Sequence, residues 1–212
     1  VSVGPDAVPC GIGRLSLYIH QHPSPNCGPR RNGLRPSLVV VHYTAMATAE
    51  AAIERLCDPA AEVSAHYVIA RSGEITQLVD EEMRAWHAGA GEWHGQDDVN
   101  SSSIGIELDN GGTYPFAEPQ MGSLEWLLPR ILDRWGIAPE GVIGHSDMAP
   151  GRKFDPGPHF DWSRLARQGL AATQPAGKTA ADAGYTAQVS DADRAVAVQL
   201  RWGADPRTKG FL

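Results

Sequence analysis

With 212 residues the chain has length for one ordinary domain and an extra segment, and it can bury a sizeable core without a disulfide or metal staple. A formal net charge of −7, from 18 basic and 25 acidic residues, argues against a nucleic-acid binder, which needs clustered Lys and Arg. No apolar run approaches the ~18 residues of a membrane helix, so no membrane partner is expected. The three cysteines, Cys10, Cys27 and Cys57, form no C-x-x-C pair; free thiols are expected, with a Cys10–Cys27 bridge left open.

Residues 1–36 are rich in Pro, Gly and Arg and read as an irregular arm with one short strand at 15–19. Residues 37–43, Ser-Leu-Val-Val-Val-His-Tyr, are a β-branched, nearly continuous apolar run, as in a strand buried on both faces, with His42 at its C-terminal end. Ala49, Ala52, Ile53 and Leu56 recur at helical spacing over 48–57, and Pro59 stops that helix. Residues 63–70 and 75–79 read as a hairpin around the tight turn 71–74. Residues 84–91 and 92–102 read as loops, and 103–108 as an alternating strand. Leu124, Leu127, Leu128, Ile131, Leu132 and Trp135 form the stripe of a helix over 118–135, in which Pro129 should make a kink or a break and which Gly136 ends. A short helix follows at 161–167. Residues 171–186, mostly Ala, Thr, Gly and Pro, read as a linker, and Ala192, Ala195, Val196 and Gln199 define the expected buried face of a last helix over 190–202.

The richest stretch is 144–157, Gly-His-Ser-Asp-Met-Ala-Pro-Gly-Arg-Lys-Phe-Asp-Pro-Gly. Its glycines and prolines exclude a plain helix or strand interior, and the apolar run 141–143 leads into it, as where a site sits at a strand exit. His145 and Asp155, joined by His42, would supply two imidazoles and a carboxylate and leave a fourth zinc position open. His42 has a plainer reading, as a satisfied core histidine, and no dense motif such as H-E-x-x-H is present. Glu107 is either a buried ion-pair partner or an acid/base group. Lys153 is either a solvated loop residue or a fixed cation for an oxyanion. Trp86, His87, Trp93 and His94 either pack two loops together or wall a ligand groove.

Five motifs occur in one order: Val-Val-His-Tyr-Thr-Ala at 40–45, Val-Ser-Ala-His-Tyr-Val-Ile at 63–69, Arg-Ala-Trp-His-Ala-Gly at 84–89, Asn100 followed by Ser-Ile-Gly-Ile-Glu at 103–107, and the stretch 144–157. Together they resemble the zinc-dependent N-acetylmuramoyl-L-alanine amidases of the amidase-2 type, most of all the AmpD-like branch that recycles 1,6-anhydro-muropeptides. The resemblance implies an α/β fold, a single domain with a mixed central β-sheet flanked by helices. It implies zinc on His42, His145 and Asp155, an acid/base role for Glu107 and an oxyanion role for Lys153. Tyr43, Trp86, His87, Ala88, Asn100 and Arg152 would contact a muropeptide or peptidoglycan substrate, Arg152 through a peptide carboxylate. His66 is expected to pack or brace, and Asp147 to brace its own turn. In a phage-lysozyme branch a tyrosine precedes the histidine equivalent to His66; here it is Ala65, which favours Glu107 as the working group.

The expected organisation is an arm at 1–22, the zinc amidase domain at 23–170, a linker at 171–189 and a helical tail at 190–212. A cytoplasmic role in cell-wall recycling is expected; a periplasmic or envelope amidase acting on polymeric peptidoglycan is the alternative if a leader preceded Val1. A non-catalytic peptidoglycan-recognition module is a further reading, which the presence of all five site residues disfavours.

Overall fold

A computed structural model describes residues 18–173 and 179–203. Cys10 and most of the strand expected at 15–19 lie outside the described residues; Cys27 and Cys57 are free thiols.

Six strands form the main sheet: β1 (Ile19–Gln21), β3 (Leu38–Tyr43), β4 (Tyr67–Ile69), β5 (Ile75–Gln77), β7 (Ser103–Leu108) and β8 (Val142–Gly144). Their order is β1-β5-β4-β7-β3-β8. Every neighbouring pair is parallel except the β4–β5 hairpin, so the sheet is mixed, as expected. The adjacent parallel strands β7, β3 and β8, the last at the sheet edge, end on the same side, which is where ligands of such sheets bind.

The two faces of these strands do different work. Val39 and Val41 of β3, with Ile104 and Ile106 of β7, pack under Leu124, Leu127, Leu128 and Ile131 of helix α3 (Glu118–Trp135). Because side chains alternate along a strand, Val40 and His42, with Gly105 and Glu107, lie on the opposite face. That face is covered by the loops that build the site. Helix α1 (Ala49–Cys57) buries Ala49, Ala52 and Leu56 and is capped by Thr48, whose side chain accepts the Ala51 N–H. Helix α3 runs through Pro129 without a break and closes at Gly136, in the left-handed region at φ 67°.

Several local expectations are corrected. The segment 63–70 is strand only at β4. The loop expected at 84–91 begins as strand β6 (Met83–Ala85), which pairs antiparallel with β2 (Cys27–Pro29), and the loop expected at 92–102 ends in one helical turn, α2 (Val99–Ser102). The stretch opening at His145 is itself a helical turn, α4 (His145–Met148). After α5 (Trp162–Arg167), the last helix α6 (Asp191–Trp202) buries Ala197, Val198 and Arg201, whereas Val196, on the expected face, is 42% exposed. The composition that reads as a linker holds Ala180 and Tyr185, both buried.

Candidate metal centre and active site

His42 ends β3, His145 opens α4 directly after β8, and Asp155 comes from the loop that follows. The Ser146 N–H donates to the Asp155 carbonyl at 2.9 Å, which fixes the two ends of that loop against each other. All three side chains are buried and offer ligand atoms within 4.8 Å of one another. His42 Nδ1 lies 2.9 Å from both His145 Nδ1 and Asp155 Oδ2, and His145 Nδ1 lies 3.0 Å from the same oxygen.

The outer atoms of both rings determine what converges here. His145 Nε2 sits 2.8 Å from the Ala88 carbonyl, which can only accept, so Nε2 carries the proton. The Ser103 hydroxyl donates to the Val99 carbonyl and so accepts from His87 Nε2 at 3.2 Å. His87 Nδ1 is then left to accept from His42 Nε2 at 3.0 Å. In their neutral forms both ligand rings therefore turn Nδ1 lone pairs toward the Asp155 carboxylate. Three acceptors that close repel one another unless a cation sits among them, and imidazole–imidazole–carboxylate is a donor set that suits zinc. The residues fit a metal.

The electrostatics agree with this. Burial, then the neighbouring His145, lowers the His42 imidazole to about 4, against the pull of Asp155. Asp155 is held well below the usual carboxylate range: burial alone would raise it, but a proton on Nδ1 of His145 or His42, donated to its carboxylate when no metal takes those lone pairs, outweighs burial. That proton is the one a metal ion would displace.

Glu107 is the register partner of His42 on the adjacent parallel strand. Its Oε2 is buried without a hydrogen-bond partner among the described residues. Burial, then the charge of Asp155, pushes its carboxyl up to about 8, with Lys153 opposing. Together with Tyr43, Trp86, His87, Arg152 and Lys153, the ligands line a groove of about 410 Å³. Met46, Arg55, Ser64 and Phe154 line it too; the exposed Phe154 is the groove residue that hydrophobic patterning had least means to flag. A larger cavity of about 850 Å³, between α5 and α6, holds none of these residues.

Three expected substrate contacts have other partners in the structure. Asn100 is buried, and its Oδ1 accepts the His87 and Ala88 N–H groups, at 2.9 and 2.8 Å. Ala88 is buried, and its carbonyl anchors His145. Arg152 donates through one nitrogen to the carbonyls of Ala88, at 2.7 Å, and Ala90. His87 both lines the groove and braces His42. Gly105 makes room for its ring, since a Cβ there would lie 2.5 Å from the imidazole carbons. His66 is fixed behind it: its Nδ1 accepts the Gly105 N–H at 2.9 Å, and its Nε2 faces the Met83 carbonyl at 3.1 Å. Asp147 does brace its turn, accepting the Gly144 N–H at 2.7 Å.

A buried His-His-Asp cluster at the C-terminal ends of parallel strands, beside a carboxylate whose Oε2 has no partner among the described residues, defines a metallohydrolase-like centre. The chain belongs to the Amidase_2 family, described as N-acetylmuramoyl-L-alanine amidase, which matches residues 32–158. It is 40% identical over 154 residues to the N-acetylmuramoyl-L-alanine amidase AmiD of Escherichia coli, a match covering 65% of this chain and 55% of AmiD. It is 36% identical over 160 residues to the 1,6-anhydro-N-acetylmuramyl-L-alanine amidase AmpD of Escherichia coli, covering 68% of this chain and 87% of AmpD. The structure of AmiD in complex with anhydro-N-acetylmuramic acid-L-Ala-D-gamma-Glu-L-Lys superposes with a TM-score of 0.71 at 31% identity, covering 81% of this chain and 82% of that one. Among the described residues no helix is long and apolar enough to cross a membrane.

Proposed function

We propose that this protein is a zinc-dependent amidase that hydrolyses the bond between N-acetylmuramic, or 1,6-anhydro-N-acetylmuramic, acid and the L-alanine of peptidoglycan fragments, in cell-wall recycling in the bacterial cytoplasm. The observation that carries this reading is the convergence of His42 Nδ1, His145 Nδ1 and Asp155 Oδ2 beside Glu107, whose Oε2 has no partner among the described residues. Family membership, and the anhydro-muropeptide bound by AmiD, give the substrate class.

His42, His145 and Asp155 would hold the zinc, which supplies Lewis acidity toward water and the scissile carbonyl. Glu107, as carboxylate, takes the proton of the attacking water as the C–O bond forms and the carbonyl electrons move onto oxygen. It then delivers that proton to the nitrogen of L-alanine, and the C–N bond breaks as the carbonyl re-forms. The Lys153 side chain lines the groove with no hydrogen bond or ion pair among the described residues, placed to meet the negative charge that develops on the carbonyl oxygen. His87 and the Ala88 carbonyl hold the two imidazoles in the tautomer that ligates.

Mass spectrometry of digests tests the reading. Anhydro-muropeptides should release free stem peptide beginning at L-alanine, and intact sacculi should be cut far more slowly. Preferential release from sacculi would move the protein to the envelope; no release from either would refute the activity.

A further inference from the structure

The C-terminal segment lies beyond the residues the family matches, yet it is wired to the metal loop. Tyr185 is buried and its hydroxyl donates to Asp147 Oδ1, while Asp147 Oδ2 accepts the N–H of Gly144, the residue before the ligand His145. Arg201, also buried, stacks its guanidinium 3.6 Å from the Trp162 ring centroid and donates to the Val142 carbonyl of β8 at 3.0 Å. Its Nε lies 3.8 Å from Asp147 Oδ2. The same segment grips the turn after Trp93, where the Gly184 carbonyl accepts the His94 N–H at 3.0 Å.

Burying an arginine and an aspartate is costly, and an apolar contact would pack α6 at lower cost. What the ion pair adds is direction: a carbonyl anchor at Val142 and an amide anchor at Gly144 hold the two ends of β8, the strand that leads into His145. We infer that residues 179–203 are a clamp for the metal-binding loop, with Tyr185 and Arg201 as positioning residues that set His145. This rests on the reading of His42, His145 and Asp155 as a zinc site. Removing the clamp loosens one ligand, so zinc affinity falls by the roughly 10- to 100-fold typical of lost supporting contacts around metal ligands.

The test is zinc affinity of the full chain by chelator competition, with melting temperature measured alongside. Tyr185→Phe removes one hydroxyl, and Arg201→Met removes the charge while keeping a long side chain. Ala197→Gly weakens α6 at a buried position that makes none of these bonds. The clamp predicts that Tyr185→Phe and Arg201→Met weaken zinc binding at least tenfold, while Ala197→Gly lowers the melting temperature and leaves zinc affinity at the parental value. Parental affinity in Tyr185→Phe, or an equal loss in Ala197→Gly, overturns the clamp. A parent that binds no zinc refutes the metal site itself, a different outcome.

Discussion

His42 and Glu107 sit opposite each other on neighbouring parallel strands, so one sheet register places a candidate metal ligand beside a candidate proton carrier. The β3–β7 ladder holds that relationship, and slipping either strand by one residue would turn its side chain, His42 or Glu107, to the core face and away from the other. Division of labour between the two residues follows: His42 should bind, Glu107 should turn over.

Glu107→Gln should therefore keep zinc and lose hydrolysis. The expected loss in kcat is on the order of 10²–10⁴-fold, the usual worth of a positioned acid/base. Metal analysis and single-turnover assays on one preparation check it. Full activity in a zinc-loaded variant would remove Glu107 from the mechanism.

Lys153→Met should lower kcat by roughly 10²–10³-fold with little change in KM, because the ammonium is needed where charge develops rather than where substrate rests. A rise in KM at unchanged kcat would instead make Lys153 a ground-state contact.

Gly105→Ala should be costly for a residue so small. Its Cβ would lie 2.5 Å from the His87 ring, which His42 and Ser103 hold from both sides. We expect about 1–3 kcal/mol of destabilisation, the usual cost of overpacking, and weaker zinc binding, measured by denaturant unfolding and metal titration.

How much of this was legible in the sequence follows physical lines. His42, His145 and Asp155 were readable because each sits at a strand exit or in a Gly/Pro loop, and their ordered motifs carried a family resemblance. Glu107 was readable because its strand is long enough to show alternation. Strand β6 was not: three residues give no period, and its partner β2 lies far back in the chain. The buried face of α6 was misread because Arg201, which anchors it, counts as polar in any hydrophobic pattern. Tyr185 was hidden in an Ala- and Gly-rich stretch. The resemblance implies Arg152 and Asn100 as substrate contacts, but no sequence pattern could show that Arg152 Nη2 and Asn100 Oδ1 also tie down loop backbone.

His66 sets a pH dependence of folding. Burial, then the nearby Arg30, lowers its imidazole to about 3, from an ordinary value of 6.5. The unfolded chain takes up that proton below pH 6.5 and the folded chain does not until about 3, so stability falls as pH drops through this window. The slope is up to about 1.4 kcal/mol per pH unit for one proton. His42 adds to the slope in the same sense. His66→Gln should flatten the profile by one proton's worth in urea unfolding from pH 7 to 4, with chelator present so that metal release adds nothing. Identical slopes would show that His66 is not held neutral.

The most direct test of the central claim combines metal and chemistry in one titration. The protein is stripped with chelator, and zinc is returned stepwise while cleavage of an anhydro-muropeptide is followed by mass spectrometry. One zinc per chain should restore cleavage between the muramic acid and L-alanine, and His42→Ala, His145→Ala and Asp155→Ala should each fail to recover it. Undiminished cleavage by the stripped protein, or recovery in those three variants at the parental zinc concentration, would contradict the account.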